Sequence, residues 1–329
     1  MKSQDQALDR ARAALWGGAL GDAMGMPSQT LPRDVIAEHY GRITGFVSPF
    51  PGHPISHGLL AAQVTDDTEQ TLLLARCLLH GFDETVWAQA LLDWEADIAA
   101  RGLHDLLGPS SKTALKALMA GVPPSRTGLG GRTNGAAMRI APVGIAMATE
   151  DPEVLARAVL AVSRVTHASA EAVSAASAVA AVISAGVGGA GFDAALPMAL
   201  RAAEAGARLG LDRATTDVAR RITAAMQAPD EDALAAMGTS VVSRESVPAA
   251  FGVVRLARGD PWLAAQIAAN IGDDTDTIGA IACAMAGACG GMATLPAAAL
   301  DQLRNANRLE IDTLAVGLLA LRPGHRAVA

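Results

Sequence analysis

Apolar residues return every three or four positions along most of this chain, with charged or polar residues between them. The pattern is clear in DQALDRARAALWGGALG (5–21), DTEQTLLLARCLLHG (67–81), DETVWAQALLDWEADIAARG (83–102), SSKTALKALMAG (110–121) and DPEVLARAVLAVSRVTH (151–167). It continues over 170–187, 193–209, 211–226, 246–258, 260–270, 276–288 and 296–320. Many of these stretches open on Ser, Thr, Asp or Pro and close at Gly, as helices do. β-Branched and aromatic residues seldom alternate over more than four positions, so strands are not expected. The pattern predicts one all-α domain over residues 1–329 with more than ten helices. No fixed-period repeat is present, which argues against a solenoid.

Two stretches, 172–200 and 278–300, are apolar enough to test as membrane spans. Both are dominated by Ala, Gly and Ser, and Asp193 and Pro197 break the first, so they read as buried helices packed closely through small residues. Hydrophobic residues make up 51% of the chain and charged ones 18%, enough apolar surface for a large core. The formal net charge is −7 and no basic run appears, which argues against a nucleic-acid partner. The N-terminus is mixed in charge and lacks the form of a signal peptide. Three cysteines in apolar surroundings, Cys77, Cys283 and Cys289, suit a reducing, cytoplasmic setting. Nothing in the pattern indicates an oligomeric state.

Against this background two acidic clusters stand out. VTDDTEQ holds Thr65, Asp66, Asp67 and Thr68; GDDTDT holds Asp273, Asp274, Thr275, Asp276 and Thr277. Each opens an apolar helix, where a carboxylate or hydroxyl caps free backbone N–H groups and suits the helix dipole. One cap needs one such residue, not three or four. If the clusters meet, each carboxylate pair ~4 Å apart repels by about 4 kcal/mol at an effective dielectric near 20, and only protonation or bound cations relieve it. With no His or Cys nearby in sequence, the oxygen ligands point to Mg²⁺, Mn²⁺ or Ca²⁺ rather than Zn²⁺. Four carboxylates balance two divalent ions.

These motifs carry a resemblance. GALGDAMGMPSQ (18–29), TDDT (65–68), TNGAAMRIAPVG (133–144), VTHAS (165–169) and GDDTDTIGA (272–280), in this order, resemble the motifs of the ADP-ribosylglycohydrolases. The resemblance implies a compact orthogonal multi-helix fold around a binuclear Mg²⁺ or Mn²⁺ centre. It implies Thr65, Asp66, Asp67, Asp274, Asp276 and Thr277 as metal ligands. The implied reaction cleaves the C1 glycosidic bond of an ADP-ribosyl group on a protein or a small molecule. Asn134, Gly135, Arg139 and His167 become candidate substrate contacts, and the backbone at Gly130 and Gly131 a candidate phosphate cradle.

Two departures bear on activity. The first motif usually ends in Glu, where this chain has Gln29, which cannot act as a base. The second metal motif usually carries Gly where this chain has Asp273, a position either behind the ligands or facing solvent. Asp66, Asp67 and Asp273 are therefore the candidates for handling the water proton, with Gln29 as a candidate polar group of the site. Aromatic residues are only 3% of the chain: Tyr40, Phe46 and Phe50 could line a site, while Trp87 and Trp94 read as core. GMPS (25–28), LGPSSKTAL (107–115) and RESVPAA (244–250) also resemble a bacterial subgroup whose substrates are small ribosyl compounds. A small ribosyl metabolite, or ADP-ribose bound without catalysis, thus stands beside the main reading. His53 and His57 read as loop residues at a pocket mouth, and Arg244, Glu245 and Ser246 as a charged knot beside the second cluster.

Overall fold

The computed structural model describes residues 2–103, 106–148 and 150–323, and among them it contains eighteen α-helices and no β-strand. In order they are α1 (Lys2–Gly25), α2 (Arg33–Tyr40), α3 (Asp66–Leu79), α4 (Glu84–Ala100), α5 (Pro109–Met119) and α6 (Pro124–Thr127). There follow α7 (Gly135–Met138), α8 (Ala141–Ala146), α9 (Pro152–Ser163), α10 (Ala170–Val187), α11 (Phe192–Leu209) and α12 (Val218–Ala225). The last are α13 (Glu231–Ala235), α14 (Ser243–Leu256), α15 (Pro261–Asn270), α16 (Thr275–Gly290), α17 (Ala297–Ala306) and α18 (Ile311–Leu321).

Three helices form the centre. α1 packs along α16, and α10 packs against α11, α8 and α16. Long apolar side chains do not make the main contact. Gly17, Gly21 and Gly25 recur every fourth residue on one face of α1, and Gly279, Cys283 and Gly287 do so on α16. A methyl group at Gly21 would lie 2.0 Å from the Gly279 carbonyl oxygen, and one at Gly287 would lie 2.1 Å from that of Ala13. The backbones therefore touch, as ridges of i±4 rows do when their side chains vanish. Among the described residues α10 alone has the length and hydropathy to cross a bilayer, yet 94% of it is buried inside the fold, in agreement with the sequence pattern.

Several boundaries differ from the sequence reading. The stretch 296–320 is two helices, because Asn307 is extended and its side chain pairs with the backbone at Val64 and Ala62. The stretch 211–226 is helical only from Val218; ahead of it Asp212 accepts from the backbone N–H groups of Ala170 and Ala214, which holds a turn. α14 begins at Ser243 and carries Pro248 within it. Proline has no N–H for the Arg244 carbonyl, and Arg221 Nε donates to that oxygen instead, at 2.5 Å. The three cysteines are free thiols.

The glycine contact yields a paired test. Gly21→Ala should lower stability by about 3 kcal/mol or more, because neither backbone can yield. Gly18→Ala, whose methyl would sit at an ordinary 3.7 Å from the Ala284 side chain, should raise it by up to about 1 kcal/mol through helix propensity. Urea unfolding of both variants checks the sign of each.

Candidate active site

Asp22 follows Gly21 on α1 and is wholly buried. Its carboxylate accepts from the backbone N–H and hydroxyl of Thr65 and from the backbone N–H and hydroxyl of Thr68, at 2.5–3.1 Å. The start of α3 is thus capped from another helix as well as by its own Thr65. That fixes Asp66 and Asp67 in the first turn of α3. Asp274 and Asp276 sit at the start of α16, the helix that α1 touches. The two acidic clusters therefore meet, and Asp22 joins them as a fifth buried carboxylate. The sequence reading missed it: a single Asp in a helical pattern looks like a surface position.

Nearby side chains hold the cluster in place. Gln70 Nε2 donates to Asp66 at 3.2 Å, and Thr65 and Thr277 hydroxyls lie 3.2 and 3.4 Å from Asp67. Asn134 Nδ2 donates to Asp274 and, at 2.9 Å, to Ser246. Asp67 Oδ1 is buried and has no partner among the described residues. Burial drives every one of these carboxyl groups upward, Asp22 to about 6 and Asp274 to about 7. Asp66, Asp67 and Asp276 rise well above the usual range, through burial first and mutual repulsion second.

Arg139 is the only buried guanidinium among the described residues. It touches no carboxylate: Nη1 donates to Gln70 Oε1 at 2.5 Å, Nη2 donates to Thr166, and the group lies over the Trp87 ring. Burial pulls its pKa down to about 10, still cationic at neutral pH. Five carboxylates against one guanidinium leave four negative charges if all ionise. This is the donor set that two hard divalent cations would satisfy: carboxylates and hydroxyls, an orphaned oxygen, and no sulfur or imidazole. Among the described residues no three His, Cys, Asp or Glu side chains converge at coordinating distance, so the fit is one of chemistry and charge.

A cavity of about 260 Å³ opens onto this cluster. Asp66, Asp274, Asp276, Thr277, Asn134, Gly135 and Gln29 line it; Thr65 and Asp67 lie behind that wall. A larger cleft of about 590 Å³, over Ser184, Arg201 and Arg322, contains none of these residues. Arg139 and His167 are buried outside the cavity lining. The His167 ring packs under Gly135, where a methyl group would lie 2.7 Å from Cε1, and meets the Thr133 hydroxyl at 2.9 Å. Burial and the charge of Arg139 keep His167 neutral by pulling its pKa well below the usual value.

Gly130 and Gly131 are not in the lining. Gly131 serves a close approach, since a methyl there would lie 2.0 Å from the Thr166 carbonyl oxygen. None of Tyr40, Phe46 and Phe50 lines the cavity either. The Tyr40 hydroxyl instead donates to the Pro27 carbonyl and accepts from Phe50 N–H, which pins the loop over residues 41–64. His53 Nδ1 accepts from Ile55 and Ser56 N–H, and Ser56 Oγ donates to the Met26 carbonyl. Ser56 has then used its one hydrogen, so Gln29 must offer it the amide N–H, at 2.8 Å, and turns its carbonyl oxygen elsewhere. Glu245 accepts from Ser240, and the Asp273 carboxyl, partly covered although the residue as a whole is exposed, is raised by that partial cover first and by Glu245 second. Asp273 is exposed and outside the lining, with left-handed backbone at φ 64°.

The ADP-ribosylglycohydrolase family model matches residues 3–327. The chain is 34% identical to the uncharacterised protein YegU of Escherichia coli K12, over 97% of this chain and 99% of that one. It is also 34% identical to an uncharacterised protein of Archaeoglobus fulgidus, over 92% and 94%. A shorter match, 35% identical over 43% of this chain and 37% of the other, is to the ADP-ribosylarginine hydrolase Tri1 of Pseudomonas putida. Among solved structures, an ADP-ribosylglycohydrolase-related protein complex aligns with a TM-score of 0.73 at 28% identity, over 96% of this chain and 99% of that chain.

The position of Asp273 yields a test of its role. Glycine adopts φ 64° without strain, so Asp273→Gly should raise stability by about 1 kcal/mol and leave turnover unchanged. Thermal unfolding with a rate assay on the same variant measures both.

Proposed function

This chain belongs to the ADP-ribosylglycohydrolase family, and we propose that it hydrolyses the C1 glycosidic bond of an ADP-ribosyl group with the aid of two divalent cations, Mg²⁺ or Mn²⁺. The observation that carries this reading is the meeting, on one cavity, of Asp66 from the first acidic cluster with Asp274 and Asp276 from the second. Asp66, Asp274, Asp276 and Thr277 on the wall, with Thr65 and Asp67 behind it, would hold the cations. Ions of this kind orient ribose hydroxyls and lower the pKa of a bound water.

The protein's own groups do the rest. Asn134 fixes the orientation of Asp274, and Gln70 fixes that of Asp66. Hydrolysis breaks the bond between C1 and the aglycone, and the electron pair leaves with the aglycone. Positive charge then builds on the ribose ring, and the surplus of carboxylates around the cavity favours that oxocarbenium character. Water attacks C1 and gives up a proton. Of the three carboxylates considered for that proton, Asp66 alone lines the cavity, so the role falls to Asp66. The likeness to an ADP-ribosylarginine hydrolase supports an ADP-ribosyl substrate.

A second reading is favoured by the cavity itself. At about 260 Å³ it falls below the ~300–1,000 Å³ usual for ligand pockets, and among the described residues no Phe, Tyr or Trp lines it to stack on an adenine. These features suit a small ribosyl compound.

Metal content and substrate choice test the two parts separately. Wild-type protein dialysed against Mg²⁺ or Mn²⁺ should carry about two ions per chain, and Asp274→Asn should lose at least one, with hydrolysis down by about 100-fold or more. A wild-type protein that retains no divalent ion contradicts the metal reading. ADP-ribosyl-arginine assayed beside small ribosyl compounds decides the substrate. Gln29→Glu should slow turnover of the natural substrate, since a carboxylate cannot donate to Ser56 as the amide does. An unchanged rate in that variant removes Gln29 from the site.

A further inference from the structure

The larger cleft, of about 590 Å³, has no part in the reading above. It lies where the C-terminal ends of α8, α10 and α18 come beside α11. Its volume is within the ~300–1,000 Å³ usual for ligand pockets. Ala181, Ala185, Ala190 and Met198 make part of its wall apolar. Arg322 is half-buried there. Its Nη1 donates to the carbonyls of Gly144, Ile145 and Met147, and its Nη2 donates to that of Ser184, at 2.5–3.1 Å. These carbonyls end α8 and α10, so one guanidinium caps two helices. Its Nε–H and one hydrogen on Nη2 have no acceptor among the described residues. Burial lowers its pKa to about 10, and it keeps its charge at neutral pH.

Arg201, exposed on α11, is the second cation of the lining. Among the described residues its one hydrogen bond is to Met198 Sδ, a weak acceptor, at 3.6 Å, and it forms no ion pair. Arg208, two turns along the same helix, does pair, with Glu153 at 2.8 Å. The one carboxylate of the lining, Glu150, is exposed and bonds to neither arginine. Two guanidiniums and one carboxylate leave the lining with one net positive charge.

We propose that this cleft binds a small carboxylate with an apolar body. The unused hydrogens of Arg201 and Arg322 hold its oxygens, and its chain lies along Ala181, Ala185 and Met198. A guanidinium offers paired donors to a carboxylate, and such charge-assisted bonds are roughly twice as strong as neutral ones. A single negative charge balances the lining. A phosphate, at about −1.5 to −2, would leave surplus negative charge beside Glu150. An ammonium would meet two like charges. The cleft shares no lining residue with the acidic cavity, so its occupation does not depend on the hydrolase reading.

Calorimetric titration of the full chain with octanoate, acetate, octylamine and inorganic phosphate tests this. Octanoate should bind at one site per chain, about tenfold or more tightly than acetate, because fully burying one CH₂ is worth about fourfold in affinity. Octylamine and phosphate should bind about tenfold or more weakly than octanoate. Arg201→Gln should weaken octanoate binding about tenfold, and Arg208→Gln should leave it unchanged. Ala185→Leu, which keeps both cations but fills the cleft, should weaken it by a similar factor. Asp274→Asn should bind octanoate as the wild type does. No saturable binding of octanoate, or binding that survives both Arg201→Gln and Ala185→Leu, overturns the site. Octylamine or phosphate binding as tightly as octanoate overturns the choice of a carboxylate. Loss of binding in Asp274→Asn locates the ligand in the acidic cavity and overturns the proposal as well.

Discussion

The backbones of α1 and α16 touch at Gly21 and Gly279, with no side chain between them, and the position of every acidic residue in the site follows from that contact. Asp22 is the next residue after Gly21, so it must enter the same buried layer. Asp276 lies three residues before Gly279, on the first turn of α16, and enters it from the other side. Asp22 then accepts four hydrogen bonds from Thr65 and Thr68, which sets the start of α3 and with it Asp66 and Asp67. A helix pair held apart by larger side chains would leave these groups too distant to act together.

The cost of that arrangement is electrostatic. Burying a carboxylate without a counter-charge is unfavourable by several kcal/mol, and this site buries five. The one buried guanidinium does not pair with any of them. Its charge reaches Asp66 through the Gln70 amide, which accepts from Arg139 and donates to Asp66. Some neutral polar side chains of the core are satisfied, as Ser28 and Thr275 are by the Gly25 carbonyl, and others, such as Trp87 Nε1 and Ser177 Oγ, have no partner among the described residues. The site differs in charge, with five buried carboxyl groups side by side, and groups so placed are often the ones that bind ions or substrates.

Legibility differed between fold and site. The helices with long periodic patterns were visible, and α10 ran over the same residues as its pattern, 170–187. Helices shorter than about two turns, such as α7 and α8, carry too few residues for a period to emerge. The two acidic clusters were visible because adjacent aspartates ahead of an apolar run contradict the environment that the run requires. Asp22 carried no such contradiction. The glycines at 128–131 invited a phosphate cradle, while the fold uses Gly128 and Gly131 to bring the chain against Arg164 and Thr166. Gln29 was legible only as a departure, and its pairing with Ser56 was not.

The sequence by itself determined the helical class, the burial of the Ala- and Gly-rich helices and the chemical type of the acidic clusters. These rest on period, propensity and charge, which neighbouring residues share along the chain. Only the tertiary structure decided that Asp22 joins the cluster, that Arg139 and His167 lie outside the cavity lining, and that Lys112 lies within it. Each depends on residues far apart in the chain approaching within a few ångströms, and at this site two glycines with no side chains set that distance.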